Sequence, residues 1–86
     1  MESHWDVDVT FEEDDNRTVA VCRLNGPGAP DCLGYGYSRR SPDIRLEPSV
    51  GIEVAAARAL SNLAHELLER AADEVEAVAH RPPLSA

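Results

Sequence analysis

The side chains in this sequence best suited to hold a metal are three histidines and two cysteines: His4, His65, His80, Cys22 and Cys32. Zinc sites draw their ligands from close pairs such as Cys-x-x-Cys or His-x-x-x-His, and the sequence contains neither. His65 falls among polar residues of a helical pattern, where a solvated imidazole is the ordinary state. Neither cysteine sits in a local nucleophile signature, and no spacing ties a serine to a histidine and an acid, so no triad is assigned. Gly34-Tyr35-Gly36 has the outline of a phosphate-binding loop. It lacks the third glycine, lies inside a strand pattern and opens no helix, so close packing explains it better. Glu12, Glu13, Asp14 and Asp15 could take a cation or an arginine-rich partner, but such a run at a hairpin tip is ordinarily a solvated turn. Acid–base catalysis needs a carboxylate in an environment that shifts its pKa, and the pattern points to none. The expectation is a protein with no catalytic residues, no metal and no cofactor.

Charge narrows the partners. The 86 residues carry a formal charge of −8, and it is unevenly spread. Residues 1–16 hold seven acids and no lysine or arginine, whereas residues 17–48 hold five arginines against three acids. An acidic chain is repelled by phosphate backbones unless its few arginines gather on one face. The cationic cluster is Arg39, Arg40 and Arg45. It is the candidate contact for nucleic acid or an acidic partner, weighed against plain pairing with Asp43 or Glu47 in an exposed loop. The first residues form no apolar leader and no run reaches membrane-spanning length, so a cytoplasmic protein with reduced thiols is expected.

Three strand patterns and one helical pattern must position these groups. Residues 4–13 alternate, with Trp5, Val7, Val9 and Phe11 toward a core and Asp6, Asp8, Thr10 and Glu12 toward solvent. Asp14-Asp15-Asn16 supplies the turn, since Asp and Asn tolerate the positive φ of tight hairpins. A two-residue loop at Asp15-Asn16 pairs Phe11 with Ala20, Val9 with Cys22 and Val7 with Leu24 across a second strand, 17–24. One more loop residue would reverse every side chain. The stretch 25–31, with two glycines and two prolines, is a loop.

A third strand follows at 32–38. If Gly34 and Gly36 face inward, a helix can cross them closely. Leu33, Tyr35 and Tyr37 then join Val19 and Val21 on the opposite face, a second apolar surface and the candidate dimer surface.

From Ser49, a plausible N-cap, the chain turns helical. Leu60, Leu63, Leu67, Ala71, Val75 and Val78, extended by Ala56 and Ala64, form an apolar stripe, with Asn62, His65, Glu66, Glu69, Arg70 and Asp73 on the other face. Thirty helical residues would span about 45 Å, while an eight-residue strand covers about 27 Å. Such a helix outruns its sheet. Either it breaks near Ala72-Asp73, giving helices over about 50–72 and 73–80 before a mobile tail at 81–86, or a second chain covers the overhang; both are expected.

Several blocks together carry a family resemblance. They are His4-Trp5-Asp6-Val7-Asp8-Val9; Gly34-Tyr35-Gly36 with Arg39 and Pro42; Ala57-Arg58-Ala59-Leu60-Ser61-Asn62-Leu63; and Val75-Glu76-Ala77-Val78-Ala79-His80 with Pro82. The chain resembles an actinobacterial family of small dormancy- and stress-associated proteins of unassigned function, sometimes grouped as double-stranded-RNA-binding-domain-like. The resemblance implies a three-stranded antiparallel sheet followed by helices, in an intertwined homodimer. It also implies a likeness to ribosome hibernation factors, which are basic, whereas residues 49–86 here hold three arginines against six acids.

The expected molecule is a single α+β domain of order β-β-β-α-α: a three-stranded antiparallel meander, a long amphipathic helix and a short second one. It is expected to be a cytoplasmic homodimer with no small-molecule substrate, acting without catalysis on the ribosome or translation machinery. The alternative is an acidic adaptor for a basic protein partner, with no nucleic-acid contact.

Overall fold

The structure is a computed structural model, and it describes residues 2–39 and 48–79. Strands β1 (Asp6–Glu13), β2 (Arg17–Asn25) and β3 (Leu33–Arg39) form an antiparallel sheet in the order β1-β2-β3, followed by a single helix α1 (Pro48–Ala79). Arg40, Pro42 and Arg45 lie outside the described residues, as do His80 and the segment 81–86.

The hairpin has the register that alternation and turn length demand. Val7 pairs with Leu24, Val9 with Cys22 and Phe11 with Ala20. The turn itself departs from expectation: among the described residues no non-glycine residue has positive φ. Asp14 makes the reversal instead. Its Oδ1 accepts the backbone N–H groups of Asn16 at 2.7 Å and Arg17 at 2.8 Å, and its own N–H donates to the Arg17 carbonyl at 3.0 Å. A carboxylate that satisfies two turn amides removes the need for a left-handed residue.

Glycine decides where the helix lies. Gly34 and Gly36 face α1, and a methyl group at either would collide with helix backbone, at Ala59 and Leu63 for the first and at Ala59 and Ala55 for the second. The helix presents small residues in return. Ala55 and Ala59 are fully buried, and with Leu63, Ala20, Cys22, Leu24 and Cys32 they make the core. The sheet-facing row is therefore Ala55-Ala59-Leu63, not the expected row through Ala56 and Leu60. Leu60 and Ala64 are exposed. A backbone-to-backbone approach has room for alanine and none for a leucine pointing straight down.

The helix is one unbroken element of 32 residues, which corrects the expected break at Ala72-Asp73 and the second helix. Asp73 is exposed mid-helix, and Ala, Glu and Val around it sustain helix without a cap. Pro48 opens the helix, so Ser49 lies in its first turn and is not the cap. Proline suits that position because the missing N–H would have had no partner there.

At about 1.5 Å per residue α1 is about 48 Å long, against about 23 Å for the seven-residue β3. Every residue from Leu68 to Ala79 is exposed. The helix packs on β3 and β2, and β1 keeps only Val9 half-buried. Trp5, Val7 and Phe11, expected in the core, are on the helix side of the sheet but remain exposed. A helix about 10 Å wide covers two strands spaced about 4.8 Å apart, not three.

Candidate functional site

The two faces of the sheet differ in chemistry. On the outer face, away from α1, cross-strand neighbours run Arg17–Arg39, Val19–Tyr37, Val21–Tyr35 and Arg23–Leu33. Val19, Val21, Leu33, Tyr35 and Tyr37 thus share one surface. Tyr35 is 57% and Tyr37 55% exposed, with Val19, Val21 and Leu33 half-buried beneath them.

Arginines frame the two rings. Arg17 and Arg39 close one end of the face and Arg23 the other. At the sheet edge the Arg58 guanidinium donates from Nη1 to the Tyr37 carbonyl at 2.8 Å. Arg17 Nε lies 4.0 Å from Asp14 Oδ2, and an open cleft of ≈ 420 Å³ joins Asp14, Asn16, Arg17 and Arg39 at the hairpin end. Asp8 and Glu12 from β1 border the far side; Asp8 accepts from Asn25 Nδ2 at 2.8 Å. Among the described residues, four of the five arginines thus gather around the β2–β3 pair, and Arg70 lies elsewhere on α1. Of the three arginines expected to act together, Arg39 is placed at this surface and Arg40 and Arg45 lie outside the described residues. Arg17 and Arg23 were missed because the 25–31 loop is too long to set the register of β3 against β2.

The other chemical candidates disperse. The His4 Nε2 lies 2.8 Å from Asp6 Oδ1, and the His65 Nε2 lies 3.1 Å from Glu69 Oε1 one helical turn on; both pairs are exposed. Among the described residues no three His, Cys, Asp or Glu side chains gather where a metal could sit. Cys22 and Cys32 are both free and buried. Burial pushes the Cys22 thiol above its ordinary value of 9.0, which keeps it neutral and a poor nucleophile. Among the described residues no helix is long and apolar enough to cross a membrane.

A second uncovered surface lies on the inner side. Val7, Phe11 and Trp5 line β1 and its approach. Trp5 Nε1 donates to the Pro27 carbonyl at 2.9 Å and thereby holds the 26–30 loop. Between that loop and α1 an open furrow of ≈ 390 Å³ is lined by Trp5, Gly28, Pro30, Leu67, Arg70, Ala71 and Glu74.

A three-stranded antiparallel sheet crossed by one overlong helix, with broad exposed faces, defines a small α+β protein. The chain belongs to the Rv2632c-like family, whose model matches residues 3–83. It is 40% identical over 76 residues to Rv2632c of Mycobacterium tuberculosis, covering 88% of this chain and 81% of that protein. It is 37% identical over 79 residues to Mb1767 of Mycobacterium bovis, covering 92% and 83% respectively. Both relatives are described as uncharacterized. The crystal structure of Rv2632c superimposes with a TM-score of 0.84 at 35% identity, over 95% of this chain and 96% of that one.

Proposed function

We propose that this protein is a non-catalytic binding protein of the cytoplasm, working as a homodimer. Its outer sheet face would contact exposed RNA of the ribosome or translation machinery, in the stress or dormancy setting that the family resemblance implies. The observation that carries this reading is the framing of Tyr35 and Tyr37 by Arg17, Arg23, Arg39 and Arg58 in a chain of net charge −8. Exposed aromatic rings with cations around them are what unpaired bases stack on, at about 1–3 kcal/mol per base. The neighbouring arginines offset the repulsion that the rest of the chain exerts on phosphate. The same face was the expected dimer surface; its charge suits a phosphate-bearing partner better than a second copy of itself, because Arg17 and Arg39 would meet their own kind.

Co-sedimentation with ribosomes at physiological and raised salt tests the proposal. Saturable binding that weakens with salt and is lost in Arg17→Glu/Arg39→Glu would support it. Absence of binding at either salt, or binding indifferent to those changes, would overturn it. A second reading rests on Glu12, Glu13 and Asp15, which stand exposed at the hairpin tip. An adaptor for a basic protein would bind through them and lose affinity on their change to alanine, with no effect from Tyr35→Ala.

A further inference from the structure

The hairpin end of the outer face sets two guanidiniums against each other. Arg17 and Arg39 are directly opposed across β2 and β3, and both are exposed. Like charges in that position repel, and an anion seated between them relieves the repulsion. The two side chains are walls of the ≈ 420 Å³ cleft, with Asp14 and Asn16 as the others. Asp14 offsets only part of their charge: its Oδ1 accepts two turn amides, and its Oδ2 stays 4.0 Å from Arg17 Nε. One pair further along the same face Tyr37 stands exposed beside Val19, and Tyr35 follows beside Val21. Same-face residues of a strand repeat at about 7 Å. A cationic cleft, a ring and a second ring therefore stand in line at even steps along β3.

We infer that this cleft seats the terminal phosphomonoester of a nucleotide whose base stacks on Tyr37, with the base of a following nucleotide on Tyr35. The inference rests on the proposed RNA contact of the outer face and adds which part of the ligand lies where. Charge is the reason for a terminus. A phosphomonoester carries about −1.5 to −2 at neutral pH and suits two guanidiniums, each able to grip it with paired N–H groups. A phosphodiester inside a strand carries a single charge. Past the cleft the cationic strip stops: Glu13, Asp14 and Asp15 follow at the turn, and they would repel the next phosphate of a strand running on. The other end of the strip is the weaker seat, because Arg23 is directly opposed by Asp8. Asp6, Asp8 and Glu12 line β1 on this same face, two strand spacings or about 10 Å from β3. They hold phosphates to the β3 side, where Arg58 lies at the Tyr37 carbonyl. The spacing of the rings suits an extended single strand. In a duplex the bases stack on one another at about 3.4 Å per nucleotide and leave no open face for a tyrosine.

Titration calorimetry tests the seat with adenosine monophosphate, inorganic phosphate, and an adenine dinucleotide with and without a terminal phosphate at either end. One end-phosphorylated form should bind about tenfold or more tightly than the unphosphorylated dinucleotide, the worth of charge-assisted hydrogen bonds to the added group. Arg17→Gln and Arg39→Gln should each erase most of that preference and leave the unphosphorylated dinucleotide nearly as before. Tyr37→Leu should weaken both forms alike. Comparing two ligands on one variant cancels any loss of folded protein. The monophosphate binding as tightly as the phosphorylated dinucleotide would support the seat and make a free nucleotide its source. Tighter binding of the dinucleotide, lost in Tyr35→Leu, would support it with a strand end as the source. Equal binding of the phosphorylated and unphosphorylated dinucleotides would overturn the inference and leave the RNA contact standing, with the strand running through the cleft. Inorganic phosphate binding as well as the monophosphate, or no binding of any of these ligands, would also overturn it. Ribosome co-sedimentation scores the RNA contact separately.

Discussion

Asn62 Oδ1 accepts a hydrogen bond from the backbone N–H of Tyr35 at 2.8 Å. β3 is an edge strand, and this amide would otherwise face outward as a template for another strand. One helical turn earlier, Arg58 occupies the Tyr37 carbonyl in the same way. The helix thus covers the core with one face and blunts the sheet edge with the side chains beside it. Asn62, placed by pattern on the solvent face, is half-buried for this reason.

Removing both plugs should open the edge. Asn62→Ala should cost about 1 kcal/mol of stability, one hydrogen bond at a partly solvated site. Arg58→Ala/Asn62→Ala should aggregate faster than wild type, read by thioflavin fluorescence at equal protein concentration. A double variant as soluble as wild type would show that the edge needs no protection.

Gly36→Ala should be among the most damaging single-methyl changes in the chain. The added carbon meets the backbone of Ala55, Arg58 and Ala59, and no rotamer change relieves a backbone contact. Overpacking of this kind costs about 1–3 kcal/mol or more. Gly28→Ala faces open space and bears only the strain of its φ of 72°, about 1 kcal/mol. Urea midpoints should rank wild type first, Gly28→Ala next and Gly36→Ala last.

Asp14→Ala should loosen the hairpin by removing the acceptor of two turn amides. A loss of about 1 kcal/mol is expected, since those amides can turn to water. Asp14→Asn keeps one acceptor oxygen and should retain most of the stability. Thermal melts of the two variants separate this role from a simple effect of charge.

Cys22 sets a pH limit. Burial raises its pKa in the folded state, so the unfolded chain ionises first as pH climbs through about 9. Below that value both states hold the proton and the stabilisation is complete. Above it the unfolded state is favoured and stability falls. The fall in urea-derived stability between pH 8 and 10 should be steeper in wild type than in Cys22→Ala. In the native protein Cys22 should resist alkylation until denaturant is added.

Leu63 is the largest side chain of the sheet-facing helix row, 3% exposed. Its replacement by alanine should cost about 2–5 kcal/mol, the range for a buried leucine that leaves a cavity. Leu68→Ala, on the uncovered flank, should leave the stability of a single chain nearly unchanged.

What the sequence determined by itself was local. Alternation with period two and a short turn set the β1–β2 register pair by pair, because a slip of one residue would turn Val7, Val9 and Phe11 to the wrong side. The apolar spacing of 50–79 and the absence of proline and further glycine after Gly51 determined a helix, though not its unbroken length. The tertiary structure alone decided the rest. A helical wheel has no absolute angle: whether Ala59 or Leu60 points at the sheet depends on Gly34 and Gly36 meeting α1, residues more than twenty positions away. The strands that one helix can cover depend on its width, which left β1 uncovered on the inner side. The convergence of Arg17, Arg23 and Arg39 on two tyrosines followed from β2–β3 pairing across a loop too long to set a register. Local steric and turn preferences are written residue by residue along the chain, while the rotation of a helix over a sheet is a balance among contacts between distant segments.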